Sequence, residues 1–300
     1  TISAPHSKTT TIPLIISGTA TIDLDYTVNY GSKAAITAAG GNGPTESNYT
    51  NLANQIISPN GIYVDNSKNI YVIPYNGFQF SSIHKWVHGG KEQVAKYHGS
   101  TGNILQDLDM SVNEDYIYAS NHLGGHVIQK YPVSNASLGN VGNAGGNGYA
   151  SYTSGSALNR MNNPMGIFVD SSKNVYVADR NNHRILKWGS DYENQDEATL
   201  VAGGNGSGSA LNQLASPYGV SADSSGNVYA VDTQNNRVMK WVPGASEGTV
   251  VAGGNGSGSA LNQLSGATDI ELDSSGNMFI CESGNHRVTK WAPGASEGVI

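Results

Sequence analysis

VAGGNGSGSALNQL, residues 201–214, returns letter for letter as residues 251–264. Identity over that length marks a duplicated unit, and a fixed period is the sign of a repeat architecture. Each copy leads into the same series: a strand-like run, the turn Ser-Ser-Gly-Asn, a second run, an Asn-rich turn and a strand ending in Lys-Trp. Carried outward, that series resolves five units: SPNGIYVDNSKNIYVIPYNGFQFSSIHKW (Ser58–Trp86), ILQDLDMSVNEDYIYASNHLGGHVIQKY (Ile104–Tyr131), NPMGIFVDSSKNVYVADRNNHRILKW (Asn163–Trp188), SPYGVSADSSGNVYAVDTQNNRVMKW (Ser216–Trp241) and GATDIELDSSGNMFICESGNHRVTKW (Gly266–Trp291). Their equivalent acids are Asp65, Asp109, Asp170, Asp223 and Asp273, at spacings of 44, 61, 53 and 50, so the unit is constant and the loops vary.

Each unit holds four short strand candidates joined by tight turns. Both faces of these strands are apolar, as in Val228-Tyr229-Ala230-Val231, so such a sheet must be covered on both sides. Sheets stacked radially around an axis cover one another, which is the β-propeller arrangement. A parallel α/β sheet would need crossover helices of a dozen residues or more. The candidate helix Ser209–Leu214 is one or two turns at most.

The pattern P-x-G-(I/V)-x-x-D-x-S-x-N-(V/I)-Y-V-x-D…N-H-R-(I/V)-x-K-W resembles the NHL repeat. Pro164 to Ile167, Asp170, Asn174 to Asp179 and Asn182-His183-Arg184 carry the likeness most clearly, and it covers residues 38–300. It implies an all-β propeller of four-stranded antiparallel blades, with six blades as the family habit. In that closure residues 1–37 make most of a degenerate blade. The alternative is a ring of five, with Ala38 onward completing the outer strand of the fifth unit. The stretch IPLIISGTATIDLDYTVNYGSKAAITAAG also resembles the C-terminal half of a Calx-β-type sandwich domain, which implies a fragment of a longer secreted protein.

A net charge of −7, with only 16 Lys plus Arg, lacks the basic footprint of a nucleic-acid binder. No apolar run approaches the roughly 18 residues that span a bilayer. Gly at 38 and Tyr at 16, with 13% charged residues, suit a turn-rich β protein. The single cysteine, Cys281, cannot form an internal disulfide and reads as a small strand residue.

Asp170 and its equivalents precede Ser-Ser-Lys/Gly-Asn, where a carboxylate accepts from backbone N–H groups two residues on. A Ca²⁺ loop would need more carboxylates and a closing Glu. Asp179 with Arg184, Asp232 with Arg237 and Glu282 with Arg287 end one strand and begin the next, an architectural pairing set against the neighbouring blade. Trp86, Trp188, Trp241 and Trp291 recur once per unit, either buried between blades or forming an aromatic box for sugars.

No G-x-S-x-G, H-E-x-x-H or P-loop pattern occurs. The divergent units gather His84, His88, His98, His122 and His126 without a standard metal spacing, and no cofactor or metal is assigned. Function is therefore expected on the rim that carries the second turns and the blade-to-blade crossovers, at the divergent residues Tyr75, Phe78, Phe80, His122, His126, Tyr149 and Tyr152. The expected role is a non-enzymatic binding or adhesion module of a secreted or cell-surface protein, with a glycan or protein ligand and neither nucleic acid nor membrane insertion. A metal-dependent lyase or lactonase is the alternative, and RNA binding a third reading.

Overall fold

The structure, a computed structural model, describes residues 59–65, 67–74, 82–86, 93–98, 104–110, 115–123, 126–133, 142–144, 154–190 and 197–300. It is built of five antiparallel sheets in chain order. The first holds β1 (Pro59–Val64), β2 (Ile70–Pro74), β3 (Ser82–Trp86) and β4 (Gln93–His98). The second holds β5 (Ile104–Met110), β6 (Tyr116–Leu123), β7 (Val127–Pro132) and β8 (Gly142–Ala144). The third holds β9 (Pro164–Val169), β10 (Val175–Asp179), β11 (Arg184–Trp188) and β12 (Thr199–Gly203). The fourth holds β13 (Pro217–Ala222), β14 (Val228–Asp232), β15 (Arg237–Trp241) and β16 (Thr249–Gly253), and the fifth holds β17 (Ala267–Leu272), β18 (Met278–Glu282) and β19 (Arg287–Trp291).

The fourth sheet shows how local sequence fixes the blade. Asp223 closes the first turn by accepting Ser225 N–H at 3.0 Å, Asn227 N–H at 2.9 Å and the Asn227 side chain at 2.7 Å. Gly226 stands at φ 77°, a left-handed position that glycine takes without strain. Asp65, Asp170 and Asp273 make the same turn with Asn69, Asn174 and Asn277. Burial pushes the Asp223 and Asp273 carboxyls up, but these donors, with Lys240 and Lys290, outweigh it and hold both below their ordinary pKa.

Asp109 does not hold the turn position in the register. It lies inside β5 opposite Tyr118, the register that Phe168 holds opposite Tyr176. The turn position is therefore two residues further along the sequence. Matching acids by residue type rather than by register displaced that assignment, because the second unit has a longer turn.

A second cross-strand device was not anticipated: the residue pairs Tyr71–Lys85, Tyr118–Lys130, Tyr176–Lys187, Tyr229–Lys240 and Phe279–Lys290 face each other in each sheet. Each ammonium lies 5.0 to 6.0 Å from its ring centroid, within cation–π reach. Tyr71, Tyr176 and Tyr229 also donate their hydroxyls to Asp65, Asp170 and Asp223 at 3.2 to 3.3 Å. Ring, ammonium and turn carboxylate thus brace one another.

The core lies between sheets. Tyr176, Ala178 and Ile185 of the third pack on Val220, Ala222, Val228 and Trp241 of the fourth. Tyr229, Val231 and Val238 then pack on Ile270, Met278 and Trp291 of the fifth. Trp86, Trp188, Trp241 and Trp291 are 0 to 2% exposed, and the last three each pack against the preceding blade, so they offer no surface box for a sugar. Burying a large apolar side chain is worth about 1.5–3 kcal/mol, and these rings anchor each interface.

The first strand of each sheet is innermost: β1 packs on β5, β5 on β9, β9 on β13 and β13 on β17. A Cβ added to Gly166 would lie 2.6 Å from Tyr218 O, and one added to Gly219 2.7 Å from Asp269 Cα, so only glycine fits there. Past β19, Val299 exchanges backbone hydrogen bonds with Lys290 at 2.8 and 2.9 Å, beginning an outer strand as Thr249 does opposite Lys240. Ser209–Leu214 forms turns rather than a helix, and its Leu214 is fully buried.

Candidate functional site

The crossovers and second turns do share one rim, held by a clasp that repeats three times. Asp232 accepts Arg237 Nε at 2.7 Å and Asn235 Nδ2 at 2.8 Å on Oδ2, and Ala215 N–H at 2.7 Å on Oδ1. Arg237 then donates to the carbonyls of Ser209, Ala210 and Gln213 at 2.8, 3.1 and 3.3 Å, while Asn235 donates to that of Gly208 at 2.9 Å. Asp179 with Arg184, and Glu282 with Arg287, hold the equivalent carbonyls at the same offsets. The acid and Arg therefore pair within one blade, across its second turn, and grip the crossover entering that blade rather than the neighbouring sheet.

Histidines staple one blade to the next. His126 Nδ1 accepts Asn163 N–H at 3.0 Å, and His183 Nδ1 accepts Ser216 N–H at 3.1 Å. Both donors immediately precede the inner strand of the following sheet. Both histidines are left-handed, at φ 49° and 55°, a conformation that Asn236 shares at φ 50°. Burial lowers the His126 pKa, which keeps the imidazole neutral and able to accept. His126 thus works as a backbone acceptor. Among the described residues no three His, Cys, Asp or Glu side chains gather as a metal site requires.

The opposite rim carries a cleft of about 380 Å³ between the second and third sheets, lined by Tyr116, Tyr118, Lys130, Ser171, Ser172, Lys173 and Ser190. Its origin is local. Where the third and fourth units have Asn174 and Asn227 bonded to the turn acid, the second has Tyr116, and Lys130 Nζ lies 3.9 Å from that ring's centroid. Lys173 meets Asp115 at 3.2 Å, with both side chains substantially exposed. Burial first, then repulsion from Lys173, lowers the Lys130 pKa, while Asp115 partly restores it. The cleft thus presents hydroxyls and a half-buried ammonium on an aromatic floor.

Of the rim residues expected from sequence, Tyr75, Phe78, Phe80, Tyr149 and Tyr152 lie outside the described residues, and His122 lies on β6. Sequence reading missed the cleft because its turn serines belong to the conserved-looking part of the third unit. The one available signal was Tyr116 in place of the turn Asn.

Radial blades joined by clasped crossovers define a β-propeller. Residues 161–188 match the family described as NHL repeat, and the same register runs through the other units. No curated protein matches the chain. Among solved structures, a structural genomics protein of unknown function from Bacteroides thetaiotaomicron VPI-5482 is similar at TM-score 0.56 and 17% identity, over 78% of this chain and 58% of that one. An auxiliary nutrient binding protein from Bacteroides ovatus ATCC 8483 is similar at TM-score 0.59 and 16% identity, over 82% of this chain and 61% of that one. A virginiamycin B lyase from Staphylococcus aureus gives TM-score 0.49 and 14% identity, over 82% and 73%. At these identities the likeness is one of fold, and the chain spans about three fifths of the Bacteroides structures.

Proposed function

We propose that the chain is a non-enzymatic binding module of a secreted or cell-surface protein, and that it takes an acidic glycan in the cleft between the second and third blades. The observation that carries this reading is the cleft's lining: Lys130 over Tyr116, with Lys173 and the hydroxyls of Ser171, Ser172 and Ser190. Serine hydroxyls match sugar hydroxyls, and a half-buried ammonium selects a carboxylate or sulfate over a neutral ring. The likeness to a protein named for nutrient binding agrees with a binding role.

The test is binding of neutral, uronate-bearing and sulfated oligosaccharides by calorimetry. Acidic members bind, and Lys130→Gln together with Lys173→Glu weakens them at least tenfold, about 1.4 kcal/mol. Equal binding by the wild type and the double variant would overturn the site. Capture of a protein but no glycan at millimolar concentration would overturn the ligand class.

A further inference from the structure

In the last three blades the second turn carries one residue directly after its clasp acid: Arg180 after Asp179, Thr233 after Asp232 and Ser283 after Glu282. Thr233 Oγ donates at 2.9 Å to the Ala267 carbonyl, on the following blade, and Ser283 Oγ donates at 2.8 Å to that of Gly266. Both hydroxyls are thereby satisfied. Arg180 also reaches the following blade, where its guanidinium carbon lies 5.5 Å from the ring centroid of Tyr218 in β13. A ring face holds a guanidinium in place but leaves its in-plane N–H groups without acceptors.

Among the described residues no carboxylate, carbonyl or hydroxyl accepts from this guanidinium, and its Nε is covered by neighbouring atoms yet unpartnered. The clasp arginines Arg184, Arg237 and Arg287 are the opposite case, each donating to one acid and to three carbonyls. A partly buried guanidinium without an acceptor costs the fold free energy. Arg180 is therefore not placed for stability. Its two terminal nitrogens, neither covered nor bonded, are left to take an acceptor from outside the chain.

We propose that Arg180, braced on Tyr218, is a recognition point for a carboxylate of a protein partner, on the clasp rim and so opposite the cleft. The two open nitrogens form one planar edge, which matches the two oxygens of a carboxylate. One guanidinium balances one carboxylate, and a net charge of −7 disfavours a partner that brings many more. Arg and aromatic residues are enriched at the centres of protein interfaces, and a guanidinium already stacked on a ring loses little freedom on binding. Asn181 and Gln234, on the second turns of the third and fourth blades, expose side-chain amides that match the donors and acceptors of a peptide backbone. The proposal does not depend on the cleft or its ligand.

The test passes a library of random peptides, in free-acid and C-terminally amidated forms, over the immobilised full chain; retained peptides are sequenced by mass spectrometry and remade. They are expected to carry Asp or Glu in both forms, or to be retained only as free acids, which assigns the carboxylate to a side chain or to the C-terminus. Affinity falls at least tenfold, about 1.4 kcal/mol, with Arg180→Gln and with the acid-to-amide exchange in the peptide. Arg180→Lys, which keeps the charge without the planar edge, recovers only part of it, and Lys130→Gln in the cleft leaves it unchanged. The Arg180 side chain makes no hydrogen bond within the described fold, so Arg180→Gln keeps a melting temperature close to wild type and lost binding is not lost structure. Retention of neutral peptides alone, equal binding by Arg180→Gln, loss with Lys130→Gln instead, or capture of acidic glycans but no peptide would each overturn the inference.

Discussion

Removing Arg237 tests the clasp. The Asp232 and Arg237 side chains are 0% and 8% exposed, and their contact is 2.7 Å. Breaking a buried pair by deleting one partner costs about 3–5 kcal/mol, because the remaining charge stays buried. After Arg237→Ala, Asp232 keeps only Ala215 N–H and Asn235, while the carbonyls of Ser209, Ala210 and Gln213 lose their donor. The crossover lies near solvent, so water replaces part of that second loss. The expected destabilisation is thus about 3–5 kcal/mol, a large share of the 5–15 kcal/mol that holds most domains together. Asp232→Ala costs a similar amount, and the double variant costs less than the sum of the two, as expected of contacting residues.

The assay is urea unfolding followed by tryptophan fluorescence, to which the buried Trp86, Trp188, Trp241 and Trp291 all contribute. Lys173→Ala, which breaks an exposed pair with Asp115, is the reference and costs less than about 1 kcal/mol. If Arg237→Ala falls with Lys173→Ala, the Arg237 bonds add nothing and the crossover is held by its remaining contacts, among them buried Leu214 and the Asn235 bond to Gly208. Three carbonyls also distinguish this pair from a simple buried ion pair. Replacing both partners with apolar residues restores stability only where nothing else depends on the Arg, so Asp232→Leu with Arg237→Met stays destabilised.

Asn236→Gly relieves a left-handed non-glycine residue and raises stability by up to about 1 kcal/mol in thermal melts, whereas His183→Gly loses the staple to Ser216 and gains nothing. Ser221 is 0% exposed and its Oγ has no hydrogen-bond partner among the described residues, so Ser221→Ala is neutral or stabilising by about 1 kcal/mol in the same melts. Burial pushes the Asp269 carboxyl up to about 6. A raised carboxyl pKa favours the folded state at low pH and loses that advantage as pH rises through about 6. The wild-type melting temperature should therefore fall relative to Asp269→Asn between about pH 4 and pH 7, and parallel curves would refute the assignment.

What the sequence made legible follows from periodicity. Turn acids, strand aromatics and the Asp–Arg spacing recur at fixed offsets, and a backbone that repeats its hydrogen bonds must repeat their donors and acceptors. Asp65, Asp170, Asp223 and Asp273 were readable on that ground, because each needs an Asn four residues on. Asp109 misled because an acid and a register were taken for the same thing. The direction of the clasp was illegible for another reason. Arg237 bonds carbonyls 24 to 28 residues upstream, and carbonyls carry no side-chain signature.

The cleft was hidden by the opposite logic. Its Lys130 belongs to a lysine–aromatic pair present in every described blade, so repetition alone classes it as scaffold. What converts it is a single exchange, Tyr116 for the turn Asn, which draws the ammonium over a second ring at 3.9 Å and opens space beside the third blade's turn. In a repeat protein, function therefore sits where a unit keeps the register and breaks the residue. That criterion points to the second unit, while the 201–214 segment is scaffold.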